Sequence, residues 1–169
     1  VIAVDLARRV LPSLSLPSTQ GGFSDTARLG RTAVLVLYPY TGRPGVPDPP
    51  GWDHVPGAHG SSPQLRAYNS LHAEFEERGA SIWGISLNSP GWQTEFAARE
   101  GLRFALLSDA CCKLTAALQL ATFRAGDIRF LARRTLIVSE GMIVHDRQQI
   151  DRPEADAAAA LEWLHGSAA

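Results

Sequence analysis

Cysteine is almost absent from this chain, and the two present, Cys111 and Cys112, are neighbours. A disulfide between adjacent residues is strained and ties no distant segments together, so a disulfide-built secreted domain is excluded. The same scarcity excludes a structural zinc cluster, because two adjacent thiols and five scattered histidines do not make a ligand set. No charge of one sign dominates. There are 16 Lys and Arg against 17 Asp and Glu, and that balance lacks the basic footprint of a nucleic-acid binder. Long apolar runs are missing too: the longest, Ala33 to Tyr38, suits a strand and falls far short of a membrane span. The first residues do not follow the charged, apolar, small-residue order of a secretory signal. These absences predict a soluble, cytoplasmic protein without nucleic-acid or membrane partners. A hydrophobic share of 45% over 169 residues is enough to bury the core of one domain spanning 1–169.

Glycine and proline are concentrated in one place. Between Gly42 and Gly60 stand Pro44, Pro47, Pro49, Pro50 and Pro56, interleaved with Gly45, Gly51 and Gly57. Proline removes backbone donors and glycine loosens the backbone, so this stretch is predicted to be an irregular loop. Long loops inside compact domains are commonly functional.

Around it the pattern alternates. Leu14–Leu16 reads as a weak strand before the Gly21-Gly22 turn, and Ala33–Tyr38 as a strand buried on both faces. Pro63–Arg78 carries Leu65, Tyr68, Leu71 and Phe75 at helical spacing and ends at Gly79. Ser81–Ser86 reads as a second buried strand. Ser89-Pro90 opens a helix that Gly101 stops after Glu100. Phe104–Leu107 reads as a strand, Ala110–Leu120 as a helix, Thr135–Val138 and Met142–His145 as a hairpin, and Pro153 as the first turn of a last helix. This order predicts a layered α/β domain whose sheet is mostly parallel, with an antiparallel edge. Ligand sites of such sheets gather at the C-terminal strand ends, where the Gly/Pro-rich loop leaves Tyr38.

That loop delivers the chain to a helix start at Gly60-Ser61-Ser62-Pro63. A helix start offers free N–H groups and the positive end of the dipole, which together favour anions. On local preference alone, Ser62 is an N-cap and Pro63 the first helical residue. His54 and His59 in the loop bring no metal-ligand set and read as solvated residues.

These segments resemble a known family, the Q-type peroxiredoxins of the bacterioferritin-comigratory group. The likeness rests on Leu11-Pro12 to Gly22, on Val34–Pro39 (VLVLYP), and on Tyr38-Pro39-Tyr40-Thr41-Gly42 with Pro56-Gly57-Ala58-His59-Gly60. It continues through Ile85-Ser86, Leu106-Leu107-Ser108-Asp109 and Arg133-Arg134-Thr135-Leu136-Ile137-Val138 before Glu140-Gly141, so it spans residues 11–164. It implies a thioredoxin-like fold: a mixed central sheet flanked by helices, with an N-terminal hairpin and a long Gly/Pro-rich active-site loop. It implies a thiol peroxidase for hydrogen peroxide or organic hydroperoxides, reduced by thioredoxin or another dithiol. Such an enzyme needs no cofactor and no metal, and would be a monomer or weak homodimer. In that family a cysteine at the helix start attacks the peroxide as thiolate and becomes a sulfenic acid, which a second thiol resolves. Arg133 matches the family's arginine and Pro39 the proline of its loop motif.

Three positions depart from the pattern. Ser61 stands where the peroxidatic cysteine belongs, and a hydroxyl has no accessible sulfenic state, so the chain as written is expected to be inactive by this route. Two explanations stay open: a Cys→Ser replacement in an otherwise working site, or a naturally non-catalytic thioredoxin-fold binding protein. Ala58 stands where the family has Thr or Ser, a role Thr41 is placed to fill from the other end of the insert. Arg66 stands at one usual resolving position and reads as a solvated helix residue. Cys111 and Cys112 are then either resolving thiols or include one small core residue, and a dithiol sensor built from the pair is a third option. Trp52 is placed to fold the long loop over the pocket.

Overall fold

The structure, a computed structural model, describes residues 4–167. The chain opens with a small hairpin, β1 (Ser15–Pro17) and β2 (Phe23–Asp25), and enters β3 (Thr32–Leu37). After the Gly/Pro-rich insert come α1 (Ser61–Ser70), α2 (His72–Glu77), β4 (Ala80–Ser86), α3 (Pro90–Glu100) and β5 (Ala105–Ser108). Then follow α4 (Lys113–Leu118), a hairpin of β6 (Thr122–Ala125) and β7 (Ile128–Leu131), the pair β8 (Arg134–Ser139) and β9 (Met142–Arg147), and α5 (Asp156–Gly166).

The central sheet runs β5-β4-β3-β8-β9. β3, β4 and β5 are parallel, whereas β8 lies antiparallel to β3 and β9 antiparallel to β8. The sheet is therefore mixed, and the antiparallel strand β8 sits in its interior instead of at the expected edge. The reason lies in burial: all but the last residue of β8 is buried, so it needs a neighbour on each side. β3 feeds both layers of the core. Val34, Val36 and the following Tyr38 pack with Leu65, Tyr68, Phe75 and Phe96 of the helices. Ala33, Leu35 and Leu37 face Leu16, Leu114, Leu118 and Leu131 on the other side.

Helix α3 forms as its signals predict. Ser89 Oγ accepts from the Trp92 N–H at 3.2 Å, Pro90 opens the first turn, and Gly101 closes it in the left-handed conformation at φ 59°. Elsewhere the boundaries shift. The single helix expected over Pro63–Arg78 starts two residues earlier and is interrupted at Leu71, just after Ser70 bonds its hydroxyl back to the Arg66 carbonyl at 3.0 Å. The helix expected from Ala110 begins only at Lys113, because the Asp109 carboxylate accepts the Leu114 and Thr115 N–H groups, each at 2.9 Å, and so fixes the first turn there. Pro153 opens a 3-10 turn (Pro153–Ala155) ahead of α5. The β6–β7 hairpin, turning at Gly126-Asp127, was not anticipated. Among the described residues, no helix is long and apolar enough to cross a membrane.

Candidate active site

The head of α1 is set by glycine, not serine. Gly60 occupies the N-cap in a left-handed conformation at φ 111°, and a Cβ there would stand 2.7 Å from Pro153 Cγ. Ser62 is therefore not the cap, and Pro63 is the third helical residue instead of the first. The correction has a tertiary cause: Pro153, from the turn before α5, packs on the backbone at residue 60. It leaves Ser61 as the first helical residue, with the Ser61 and Ser62 N–H groups free of intrahelical partners and Pro63 carrying none. Ser61 is buried, at 2% exposure.

Arg133 enters from the turn between β7 and β8. One guanidinium nitrogen, Nη1, lies 3.3 Å from Ser61 Oγ and also donates to Gln64 Oε1. The other, Nη2, donates to the carbonyls of His59 at 2.9 Å and Gly57 at 3.4 Å. One side chain thus ties the end of the insert to the first turn of α1. Burial pushes the Arg133 pKa down to about 10, opposed by the charge of Asp156, so the group stays cationic at neutral pH. Behind Arg133, Gln64 donates its Nε2 to Asp156 Oδ2 at 3.0 Å. Tyr68 Oη and Thr135 Oγ1 donate to the same oxygen, each at 2.7 Å. Gln64 and Asp156 are both fully buried, and neither was anticipated. Gln64 was legible, since i and i+3 share a helix face with Ser61. Asp156 had no local signal.

The remaining predicted residues scatter. Pro39 is buried at the end of β3. Thr41 is fully buried, and its carbonyl accepts from Trp92 Nε1 at 2.7 Å, but its hydroxyl bonds to neither Ser61 nor Arg133. Ala58 packs with Trp52, Ala125 and Phe130. Trp52 therefore folds the insert onto the β6–β7 hairpin. Arg66 is an exposed helix residue, as expected, and it also makes a two-pronged pair with Glu100 at 2.8 and 2.7 Å that links α1 to α3. Cys111 is exposed and Cys112 half-buried, so neither is a core residue. Cys111 lines a cavity of about 190 Å³ with Leu16, Phe23 and Pro90, and Arg129 Nη1 lies 3.8 Å from Cys112 Sγ. His54 is exposed, as expected, but His59 is not isolated. Its Nε2 lies 2.7 Å from Asp53 Oδ1, with Asp48 close by; all three are exposed surface groups.

A free helix N-terminus and a half-buried arginine beside a first-turn serine form an arrangement suited to an anionic or polarised oxygen and to negative charge on the side chain at position 61. Comparison with known proteins shows the family and the fold. The model of the AhpC/TSA family matches residues 56–147, more than half of the chain. The Peroxiredoxin Bcp of Xanthomonas campestris is 28% identical over 155 residues, 88% of each protein. Peroxiredoxin Q of Xanthomonas campestris superposes at a TM-score of 0.73 with 25% identity over 92% of both chains. Peroxidoxin BcpB of Mycobacterium tuberculosis shares the fold at a TM-score of 0.78, with 22% identity over 96% of this chain and 98% of that one. The fold is thioredoxin-like, and the chain belongs to the AhpC/TSA family as a peroxiredoxin of the Q type.

Proposed function

We propose that the pocket at the head of α1 is a peroxidatic site for hydrogen peroxide or organic hydroperoxides, built for a thiol-dependent peroxidase, with Ser61 in the attacking position. The observation that carries this reading is the Arg133 guanidinium 3.3 Å from Ser61 Oγ at the first residue of a helix. With a thiolate there, the sulfur attacks one peroxide oxygen and the O–O bond breaks. The other oxygen leaves as alcohol or water after taking a proton, and the sulfur is left as a sulfenic acid. A dithiol such as thioredoxin then displaces water to form a mixed disulfide, and its second thiol releases the enzyme as thiol. Arg133 and the free N–H groups favour the thiolate over the thiol. The serine hydroxyl cannot follow this path, so the chain as written is a holding site and not a turning-over one.

Ser61→Cys tests this reading, with peroxide consumption measured against thioredoxin or dithiothreitol. Turnover in Ser61→Cys, lost by about 100-fold or more when Arg133→Ala is added, is the expected result. A folded Ser61→Cys protein that consumes no peroxide overturns it.

A specific observation favours the second reading, a naturally silent member that keeps the pocket for binding. The other two departures are built into their surroundings. Arg66 is paired with Glu100, and Ala58 fills the Trp52 cluster. A single exchange at residue 61 would account for neither. Failure of Ser61→Cys would give this reading the lead.

A further inference from the structure

Asp156 is fully buried at the start of α5 and has no part in the peroxide chemistry above. Its Oδ2 accepts three hydrogen bonds, from Gln64, Tyr68 and Thr135. Arg147 Nη1 stands 3.6 Å from its other oxygen. An ionised carboxylate can only accept hydrogen bonds, and a guanidinium can only donate them. The Gln64 side chain lies between the Asp156 carboxylate and the Arg133 guanidinium and touches both. Only one orientation of its amide satisfies both ends: Nε2 toward Asp156 and Oε1 toward Arg133. The reverse would set carbonyl oxygen against carboxylate and N–H against N–H. The direction of this amide is thus dictated by Asp156, and the amide in turn offers Arg133 its acceptor.

We infer that Asp156 is a positioning residue for this site: through Gln64 it holds the Arg133 guanidinium against the side chain at position 61. The inference rests on the reading of residue 61 as the attacking position. The relay has a built-in order, with an acceptor-only group on α5, an amide on α1, and a donor-only group ahead of β8. Three segments far apart in sequence are needed to aim one nitrogen.

A merely structural role and the positioning role separate by the sign of an effect. In the Ser61→Cys protein, the alkylation rate of the introduced thiol by iodoacetamide is followed against pH, with the modified peptide identified by mass spectrometry. Asp156→Asn and Asp156→Ala both remove a negative charge, which by itself favours the thiolate and lowers the midpoint. Asp156→Asn keeps an oxygen to accept from Gln64; Asp156→Ala does not. The midpoint is expected to rise by about one pH unit in Asp156→Ala, roughly a tenfold loss of rate at neutral pH, and not to rise in Asp156→Asn. Equal behaviour of the two variants, or a midpoint that falls in both, overturns the inference. Should Asp156→Ala not fold, Gln64→Met cuts the same relay in its middle, and the same rise is expected. Tyr68→Phe removes another donor to Asp156 without touching the relay, and should lower stability while leaving the midpoint in place. A shift in Tyr68→Phe as large as in Gln64→Met would also overturn the inference. Because the readout is thiol ionisation, a protein that alkylates normally but consumes no peroxide would sink the peroxidase reading and leave this test intact.

Discussion

Gly60 carries more of the site than Ser61 does. Its φ of 111° lies where side chains other than glycine's are strained, and Pro153 Cγ and Cβ would stand 2.7 and 3.1 Å from a Cβ added there. Backbone strain and overlap therefore act together on Gly60→Ala. The expected cost is about 2 kcal/mol, read as a lower midpoint in urea denaturation without a change of slope. Displacing Pro153 would also disturb the turn that leads into Asp156. A variant as stable as the parent would mean that Pro153 yields freely. This residue also shows where the sequence misled. Ser62-Pro63 has the composition of a cap and first turn, and local preference favours it. The contact that decides otherwise comes from a proline at the other end of the chain. Arg133 was legible only through the family resemblance, which matches it by its spacing to Leu136. Asp156 was not, because nothing in DAAAAL marks a buried carboxylate.

Among the elements, α3 was readable to the residue, since a serine cap, a first-turn proline and a terminal glycine are all local signals. The β6–β7 hairpin was missed for the opposite reason. Its sequence, TFRAGDIRFL, mixes arginine into both strands and alternates weakly. Its stability comes from what it touches: Phe130 meets Trp52 at a ring-centroid distance of 4.8 Å, and Tyr40 meets Trp52 at 5.4 Å and Phe130 at 5.7 Å. The insert and the hairpin thus supply each other's apolar face. Trp52→Ala should cost about 3 kcal/mol and free the insert. Limited proteolysis should then cut within residues 43–57 well before the central sheet opens. Cleavage that appears only with global unfolding would show that the insert is held by other means. The same docking explains why a stretch so rich in proline and glycine can still deliver Gly57 and His59 carbonyls to Arg133.

At the scale of the whole molecule, the sheet order could not be read from strand signals, because β8 and β9 look like an edge hairpin in sequence. A buried ion pair ties β8 to the edge strand β9, and the N-terminal segment is laid along β9. Arg134 and Asp146 are paired through both carboxylate oxygens, with side chains 4% and 3% exposed. The Leu6 N–H donates to Asp146 Oδ2 at 2.9 Å, and Arg134 donates to the Val4 carbonyl. The pair therefore clips the start of the chain to the far side of the sheet. For Asp146, burial alone would raise the pKa, but the hydrogen bonds from Arg134 and Leu6 outweigh it and hold the carboxyl below its ordinary 3.8. A depressed carboxyl gives stability that is fully present above its unfolded value and is lost as pH falls through the folded one. Asp146→Asn leaves Arg134 buried without its counter-charge, and should cost about 3 kcal/mol at neutral pH. The stability gap between parent and variant should then begin to shrink below about pH 4, the ordinary carboxyl range of the unfolded chain, and close only as the pH falls through the lower folded value. Denaturation series for both proteins across that range decide the matter: a gap that stays constant as the pH falls would mean that the carboxyl's shape, and not its charge, holds the N-terminal segment to the sheet.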